Sequence, residues 1–208
     1  MADLNLLAET ITKGDQKKAV EMTKAAFDEG VSVKQILDEG LIGGMNIIAA
    51  KWKRNEVYIP EVLIAARAMK SAVEVLEPEF ARAGIEPIGK CMIGTVQGDL
   101  HDIGKNLVVM MLKGAGFEVI DIGVDAPPSK FIDQAKNHKP QVIGMSALLT
   151  TTMPAMEKTL KALRDANIPA KIIIGGAPVT QGYAEKIGAD GYSPDAASAV
   201  DLVKSLVA

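Results

Sequence analysis

From Lys90 onward the sequence repeats one unit, in which a short apolar run is followed by a loop and an amphipathic segment. Four apolar runs are clear and a fifth is weaker; they cover residues 91–96, 117–122, 142–146, 172–174 and 189–192. Short buried strands that alternate with helices are typical of a parallel sheet covered by helices on both faces. Five strands favour the flavodoxin-like order 2-1-3-4-5, in which strands 1 and 3 are neighbours and ligands bind outside their carboxyl ends.

The first part of the chain has helical spacing only. Gly14-Asp15 separates two short helices, Ser32 begins a third, and a fourth begins near Pro60. Four helices with short connections predict an antiparallel bundle. Residues 77–89 contain two prolines and two glycines and are the predicted linker. We therefore expect a helical domain in residues 1–86 and an α/β domain in residues 87–208.

Composition narrows the class of protein. The 208 residues carry a net charge of −3, 48% are hydrophobic and 4% are aromatic, and no basic block is present. This balance argues against a nucleic-acid partner. The N-terminus lacks the features of a signal peptide, and no run approaches the roughly 18 apolar residues of a membrane helix. The single cysteine, Cys91, lies in a predicted strand, so we expect a cytoplasmic protein without a membrane partner.

The loop after the first strand places a histidine among carboxylates. It reads Gly98-Asp99-Leu100-His101-Asp102-Ile103-Gly104 and leads directly into a predicted helix. A carboxylate two residues before a histidine can fix the imidazole tautomer of a metal ligand. The alternative interpretation is a surface histidine that caps the helix or pairs with Asp99 or Asp102. The other histidine, His138, lies in a turn before strand 3 and is interpreted as solvated.

Two further loops at the same edge of the predicted sheet are rich in small and hydroxyl residues. Strand 3 ends in Ser146-Ala147-Leu148, followed by three threonines at 150–152, and strand 4 is followed by Gly175-Gly176. The alternative for the loop after strand 3 is a polar loop in which Thr152 is a helix N-cap, and the alternative for Gly175-Gly176 is an ordinary turn. The functional interpretation is that glycines here, and Gly94 and Gly98 near strand 1, leave room for a flat ring system beside the backbone.

Taken in order, Asp99-x-His101-x-x-Gly104, Ser146-Ala147-Leu148 and Gly175-Gly176 resemble the corrinoid-binding signature of cobalamin-dependent methyltransferases. Similar chains are the methanol, methylamine and O-demethylase corrinoid proteins and the cobalamin module of methionine synthase. The resemblance implies that His101 is the lower axial ligand of cobalt and that Asp99 and Thr152 form a relay to it. It also implies cofactor contacts from Gly98, Asp99, His101, Asp102, Ile103, Gly104, Ser146, Leu148, Thr150, Gly175, Gly176 and Tyr192.

The same resemblance implies a methyl carrier rather than a complete enzyme. The helical half matches the family's cap over the cofactor, so the chain has no catalytic residue of its own for activating a methyl donor. Expected partners are a substrate-specific methyltransferase, an acceptor methyltransferase and a reductive activator. Two alternatives remain: a cobalamin sensor or storage module, and a Rossmann-type nucleotide-binding enzyme that would use Asp121 at the end of strand 2.

Overall fold

The computed structural model describes residues 2–208, apart from the side chain of Ala81. The chain divides into two compact units. One contains the residues up to Pro87 together with Gly114–Gly116, and the other contains Ile88–Lys113 and Phe117–Ala208. The first unit is mainly helical and the second contains the sheet.

The helical unit begins with two helices whose ends are set by their sequence. They are α1 (Leu4–Lys13) and α2 (Gln16–Asp28). Gly14 ends α1 in the left-handed conformation, with φ of 72°, and the Asp15 side chain accepts a hydrogen bond from the backbone of Lys18. Both were predicted from the Gly-Asp pair, because glycine adopts positive φ without strain and aspartate caps a helix N-terminus.

The third predicted helix contains a π-helical segment that the sequence did not indicate. Ser32 caps the short helix α3 (Val33–Gln35) as predicted, and the chain continues through a π-helical segment, Ile36–Ile42, into α4 (Gly43–Lys53). Gly44 lies against α1 so closely that a Cβ atom there would be 2.6 Å from Cβ of Ile11 and 2.7 Å from the carbonyl oxygen of Ala8. The glycine is therefore required by helix packing within this unit.

The fourth predicted helix, α5 (Ile59–Ala83), is longer than the sequence indicated. The predicted linker begins at residue 77, but α5 continues through Pro78 for five further residues, so that part of the prediction is wrong. Proline inside a helix removes one backbone hydrogen bond and usually kinks or breaks the helix. Here α5 continues, and Leu76 just before Pro78 is fully buried. The segment without helix or strand is 84–89.

The second unit is the predicted parallel sheet, in the order β2-β1-β3-β4-β5. Its strands are β1 (Lys90–Thr95), β2 (Glu118–Asp121), β3 (Val142–Ser146), β4 (Lys171–Gly175) and β5 (Gly191–Ser193). Its helices are α6 (Ile103–Gly114), α7 (Pro128–His138), α8 (Met153–Asp165), α9 (Gln181–Ile187) and α10 (Ala196–Val207). All strand pairs are parallel, which confirms the predicted α/β fold with an N-terminal helical bundle.

The sheet core is built from residues of the apolar runs. Met92, Ile143 and Ile172 are fully buried, and helices α7 and α8 add Phe131 and Met156 to the same cluster. Cys91 is buried in β1, and this burial raises the pKa of its thiol to about 12. Within residues 2–208, no helix is both long and apolar enough to cross a membrane.

Candidate functional site

Asp99 is a fully buried carboxylate in the loop that follows β1. One of its oxygens, Oδ1, accepts hydrogen bonds from the backbone nitrogen of His101 at 3.0 Å and from the His101 ring nitrogen Nδ1 at 2.7 Å. The histidine ring and its backbone are thus held by the same oxygen atom. A surface pairing would not require a buried carboxylate, so the arrangement favours a functional role for the pair.

The other oxygen of Asp99 joins this loop to the loop after β3. Oδ2 accepts hydrogen bonds from the backbone nitrogen of Leu148 at 2.7 Å and from Oγ1 of Thr152 at 2.8 Å. Thr152 occupies the N-cap position of α8, yet its side chain makes no capping hydrogen bond there. Its buried hydroxyl faces Asp99 instead, so the simple N-cap interpretation of this side chain is wrong.

The four hydrogen bonds keep Asp99 ionised. Burial alone would raise the pKa of the carboxyl group, but the backbone donors of His101 and Leu148 and the side chains of Thr152 and His101 outweigh it. The pKa of Asp99 is consequently held well below its usual range. A buried carboxylate that receives several hydrogen bonds behaves in this way because the donors stabilise only the charged form.

The ionised Asp99 determines the tautomer of His101. A carboxylate 2.7 Å from Nδ1 requires a proton on that nitrogen, so the neutral ring presents a lone pair at Nε2. The histidine side chain is 50% exposed, and no hydrogen bond to Nε2 is made within residues 2–208. An exposed lone pair on an oriented imidazole is suited to a metal ion that arrives with its own coordination sphere.

The surface beside His101 is apolar and open. Leu100, Ile103, Leu148 and Leu149 are all exposed, the first two by 72% and 74%. A Cβ atom at Gly104 would meet nothing within 4 Å, so the beginning of α6 leaves free space. Large exposed apolar side chains in a cluster mark a binding surface. A broad, mainly apolar ring with a metal at its centre fits this donor set and its surroundings.

Two of the predicted residues, Ser146 and Gly175, belong to one row along the sheet edge. Thr95, Ser146, Gly175 and Ser193 are successive register partners on β1, β3, β4 and β5. Gly176 follows with φ of 126°, and a Cβ atom there would collide with the carbonyl oxygen of Ala147. This glycine permits the two loops to approach each other.

Four other candidates occupy different surroundings. Thr150 is exposed in the turn between β3 and α8, and Tyr192 is paired with Ile174 in the sheet, where it packs against the core cluster. The structure does not bring Tyr192 to the Asp99–His101 pair by any hydrogen bond. Asp102 accepts a hydrogen bond from the side chain of Asn106 at 3.0 Å. Gly94 does not leave room for a ligand, because Ile122 and Phe131 fill the space beside it.

Sequence reasoning missed three residues near the site, two of which shape the loop. The fully buried Thr95 donates a hydrogen bond from Oγ1 to the carbonyl oxygen of His101 at 2.9 Å. Asp125, from the loop after β2, contacts the backbone on either side of the Gly98–Asp99 peptide. Their only signal is their position, since residues at the ends of neighbouring parallel strands meet at one edge.

The third missed residue, Lys105, is the ion-pair partner of Asp121. The buried Nζ of Lys105 lies 2.5 Å from Oδ2 of Asp121, whose Oδ1 accepts a hydrogen bond from the backbone of Gly123. Both oxygens of this carboxylate are therefore engaged within the protein. The ribose-binding role that the nucleotide alternative assigned to Asp121 would require it to leave these partners.

Comparison with known proteins decides the family. The B12 binding domain matches residues 89–201, and a second B12 binding domain matches residues 4–77. The chain belongs to the cobalamin-binding corrinoid proteins. A cobalamin or related corrinoid, with cobalt as its metal, is therefore its cofactor, and the exposed His101 nitrogen with its apolar surroundings fits such a group.

The relatives of this corrinoid protein match it over nearly its whole length. A corrinoid protein of Desulfitobacterium hafniense is 37% identical over 212 residues, which cover 100% of this chain and 98% of the relative. Trimethylamine corrinoid protein 2 of Methanosarcina acetivorans is 40% identical over 203 residues, 96% of this chain and 94% of the relative. The methanol:cobalamin methyltransferase complex MtaBC of Methanosarcina barkeri contains a chain that is 28% identical, with a TM-score of 0.87 over 97% of this chain and 78% of that one.

Proposed function

We propose that this corrinoid protein carries a methyl group on bound cobalamin between two methyltransferases, with His101 as the lower axial ligand of cobalt. The observation that supports the proposal most strongly is the buried Asp99, which holds Nδ1 of His101 at 2.7 Å and leaves Nε2 exposed. The bound corrinoid supplies the methyl-carrying chemistry, while the protein binds, orients and shields it.

Asp99 and Thr152 form the proposed relay to the ligand. The single hydroxyl proton of Thr152 has two acceptors at 2.8 Å, Oδ2 of Asp99 and the carbonyl oxygen of Leu149. When the hydroxyl donates to Asp99 it favours the ionised carboxylate, and when it turns to Leu149 that support is lost. The direction of the Thr152 hydroxyl proton therefore affects the charge on Asp99, and through it the strength with which Nε2 of His101 would donate its lone pair to the metal.

The remaining predicted contacts stay predictions, and they fall into two groups by the strand that they follow. On the β1 side they are Gly98, Asp102, Ile103 and Gly104, and their exposure and open space suit an apolar ring. On the β3, β4 and β5 side they are Ser146, Leu148, Thr150, Gly175, Gly176 and Tyr192. The row of small residues at the ends of β3 and β4 supports a slot for the nucleotide tail.

The proposed partners follow from the names of the relatives. Similar chains are described as trimethylamine and dimethylamine corrinoid proteins, and a similar chain forms a complex with a methanol methyltransferase. We infer that a substrate-specific methyltransferase methylates this protein in the cytoplasm and that an acceptor methyltransferase demethylates it. A reductive activator would restore the cofactor after accidental oxidation.

Cobalamin retention tests the ligand assignment. The purified chain is mixed with hydroxocobalamin, gel-filtered and examined by visible spectroscopy beside His101→Ala. We expect the wild type to retain cobalamin with a base-off, histidine-ligated spectrum and the variant to lose that signature. His138→Ala is the matched control, because it removes the chain's other histidine from an exposed site. An unchanged spectrum in His101→Ala contradicts the assignment.

Methyl transfer separates a carrier from a storage module. Cobalamin-loaded protein is first reduced with a low-potential chemical reductant, because cobalt must be reduced before it can accept a methyl group. It is then incubated with a methyltransferase for methylated amines or methanol and with the corresponding donor. A carrier becomes methylated and then loses the methyl group when a thiol or folate acceptor system is added. A protein that retains cobalamin but accepts no methyl group from any such partner would support storage or sensing instead.

A further inference from the structure

Asp125 holds the segment that carries Asp99 at two points. Its carboxylate oxygen Oδ1 accepts a hydrogen bond from the backbone nitrogen of Gly98 at 2.7 Å. Its own backbone nitrogen donates to the carbonyl oxygen of Asp99 at 2.9 Å. The two bonds enclose the Gly98–Asp99 peptide, so one residue of the loop after β2 restrains the backbone from which the Asp99 side chain projects.

We call these two hydrogen bonds of Asp125 the clamp. Two unusual backbone conformations make it possible. Asp125 has φ of 48° and Gly98 has φ of 85°, both in the left-handed region. Among residues other than glycine, asparagine and aspartate enter that region most readily. Asp125 therefore meets two requirements at once, since it tolerates the left-handed turn and supplies an acceptor to the Gly98 nitrogen.

The clamp is anchored to the sheet. Nearby, the backbone nitrogen of Ala126 donates to the carbonyl oxygen of Thr95 at 3.0 Å, and Val96 forms a parallel bridge with Ala126. The loop after β2 therefore continues the sheet by one step beyond β1 and places Asp125 in fixed register with Gly98. A charged acceptor also makes a stronger hydrogen bond with a backbone nitrogen than a neutral one does.

We infer that Asp125 is a positioning residue of the cofactor site, which sets the placement of Asp99 and through it the orientation of the His101 ring. The inference rests on the proposed ligand role of His101. The hydrogen bonds of Asp125 go to the backbone of the loop, so it acts through that backbone rather than on the ring directly. Because Asp125 is exposed, its replacement removes the side-chain hydrogen bond to Gly98 without opening a buried cavity, while the backbone bond to Asp99 can remain.

Three substitutions separate the acceptor from the backbone conformation. Asp125→Asn keeps an oxygen acceptor and tolerates positive φ. Asp125→Gly keeps the backbone conformation but removes the acceptor. Asp125→Ala removes the acceptor and also strains the backbone. Asp133→Asn is the control, since it removes a negative charge from an exposed site on α7.

Two measurements on the full-length protein test the inference. In the cofactor-free protein, NMR follows the amide shift and hydrogen exchange of Gly98. In the loaded protein, spectroscopy and equilibrium dialysis follow histidine ligation and cobalamin affinity. For Asp125→Gly we expect faster exchange at Gly98, a smaller histidine-ligated fraction and binding weaker by about five- to tenfold, as the loss of one hydrogen bond implies. Asp125→Asn should lie between the wild type and Asp125→Gly, because a neutral oxygen still accepts the hydrogen bond from Gly98 but does so more weakly.

The outcomes distinguish this inference from the proposed function. If Asp125→Gly binds and ligates cobalamin as the wild type does, Asp125 is not a positioning residue. If Asp125→Asn and Asp125→Gly lose ligation equally, charge rather than the hydrogen bond is responsible, and the clamp is overturned. If the wild type itself shows no histidine ligation, the proposed function fails, while Gly98 exchange still tests the clamp in the cofactor-free protein.

Discussion

At the scale of single residues, Asp99 makes more of the hydrogen bonds of the site than any other side chain described above. Its two oxygens accept four hydrogen bonds, two from His101 and one each from Leu148 and Thr152. A buried carboxylate is costly unless such donors compensate its lost hydration. The same bonds that orient the histidine therefore also make the ionised form of Asp99 part of the folded structure.

This arrangement predicts a specific pH dependence of stability. The folded-state pKa of Asp99 lies below its usual value of about 4, so its contribution is present above about pH 4 and is lost as pH falls through the folded-state pKa. At pH 7, Asp99→Asn should lower the free energy of unfolding by about 1–3 kcal/mol, because an amide nitrogen would face the donors of Leu148 and Thr152.

The measurement is urea unfolding of the cofactor-free wild type and of Asp99→Asn between about pH 7 and the lowest pH at which both fold. We expect the difference between the two proteins to shrink as the pH falls below about 4. A difference that stays constant over that range would mean that folding does not lower the pKa of Asp99.

At the scale of elements, small residues decide how closely the helices of the N-terminal unit pack. Gly44 in α4 lies against Ala8 and Ile11 of α1, while a Cβ atom added at its neighbour Gly43 would have no atom closer than 3.6 Å. The two glycines are adjacent in sequence but differ in what surrounds them. The carbonyl oxygen of Gly44 also accepts a hydrogen bond from Thr12 at 3.2 Å.

Alanine substitution at these two positions should have opposite effects. Gly44→Ala should destabilise the protein by about 1–3 kcal/mol or more, because the new methyl group meets backbone atoms that cannot turn away. Gly43→Ala should be neutral or stabilise it by up to about 1 kcal/mol, since alanine is the better helix former. Thermal unfolding of both variants beside the wild type checks the prediction, and similar losses in both would refute the packing explanation.

At the scale of the whole molecule, the chain consists of a helical unit and a sheet unit joined by a short segment. Residues 84–89 form neither helix nor strand, and Gly84 has φ of 63° after the end of α5. Most of the segment is exposed, whereas each unit has a buried core of its own. Exposed backbone outside regular elements is the preferred site of proteolysis.

Limited thermolysin digestion should therefore cut first at the Gly84–Ile85 bond. The expected products are residues 1–84 and 85–208, identified by intact mass. Ile85→Asp removes the apolar side chain that thermolysin selects and should slow this cut without affecting other sites. First cleavage inside α5 or within the sheet unit would show that the joining segment is better protected than its exposure indicates.

Much of this fold was predictable because its signals are local. The helix starts at Asp15 and Ser32 follow from side chains that accept a hydrogen bond three residues further on, and the helix end at Gly14 follows from the ease with which glycine adopts positive φ. The strand order follows from the number of apolar runs and the preference of parallel sheets for that topology. The π-helical segment 36–42 and the passage of α5 through Pro78 were missed, because both depend on packing against other helices rather than on local preference.

The sequence by itself determined which residues lie at one edge of a parallel sheet: a histidine, a carboxylate two residues before it, and a loop rich in serine and threonine. Only the tertiary structure decided which atoms meet there. Asp99 bonds to Leu148 and Thr152 across 49 and 53 residues, and Asp125 bonds to Gly98 across 27. Such contacts exist because the strand order brings the loops after β1, β2 and β3 together, and no local pattern in the chain encodes a distance between atoms so far apart in sequence.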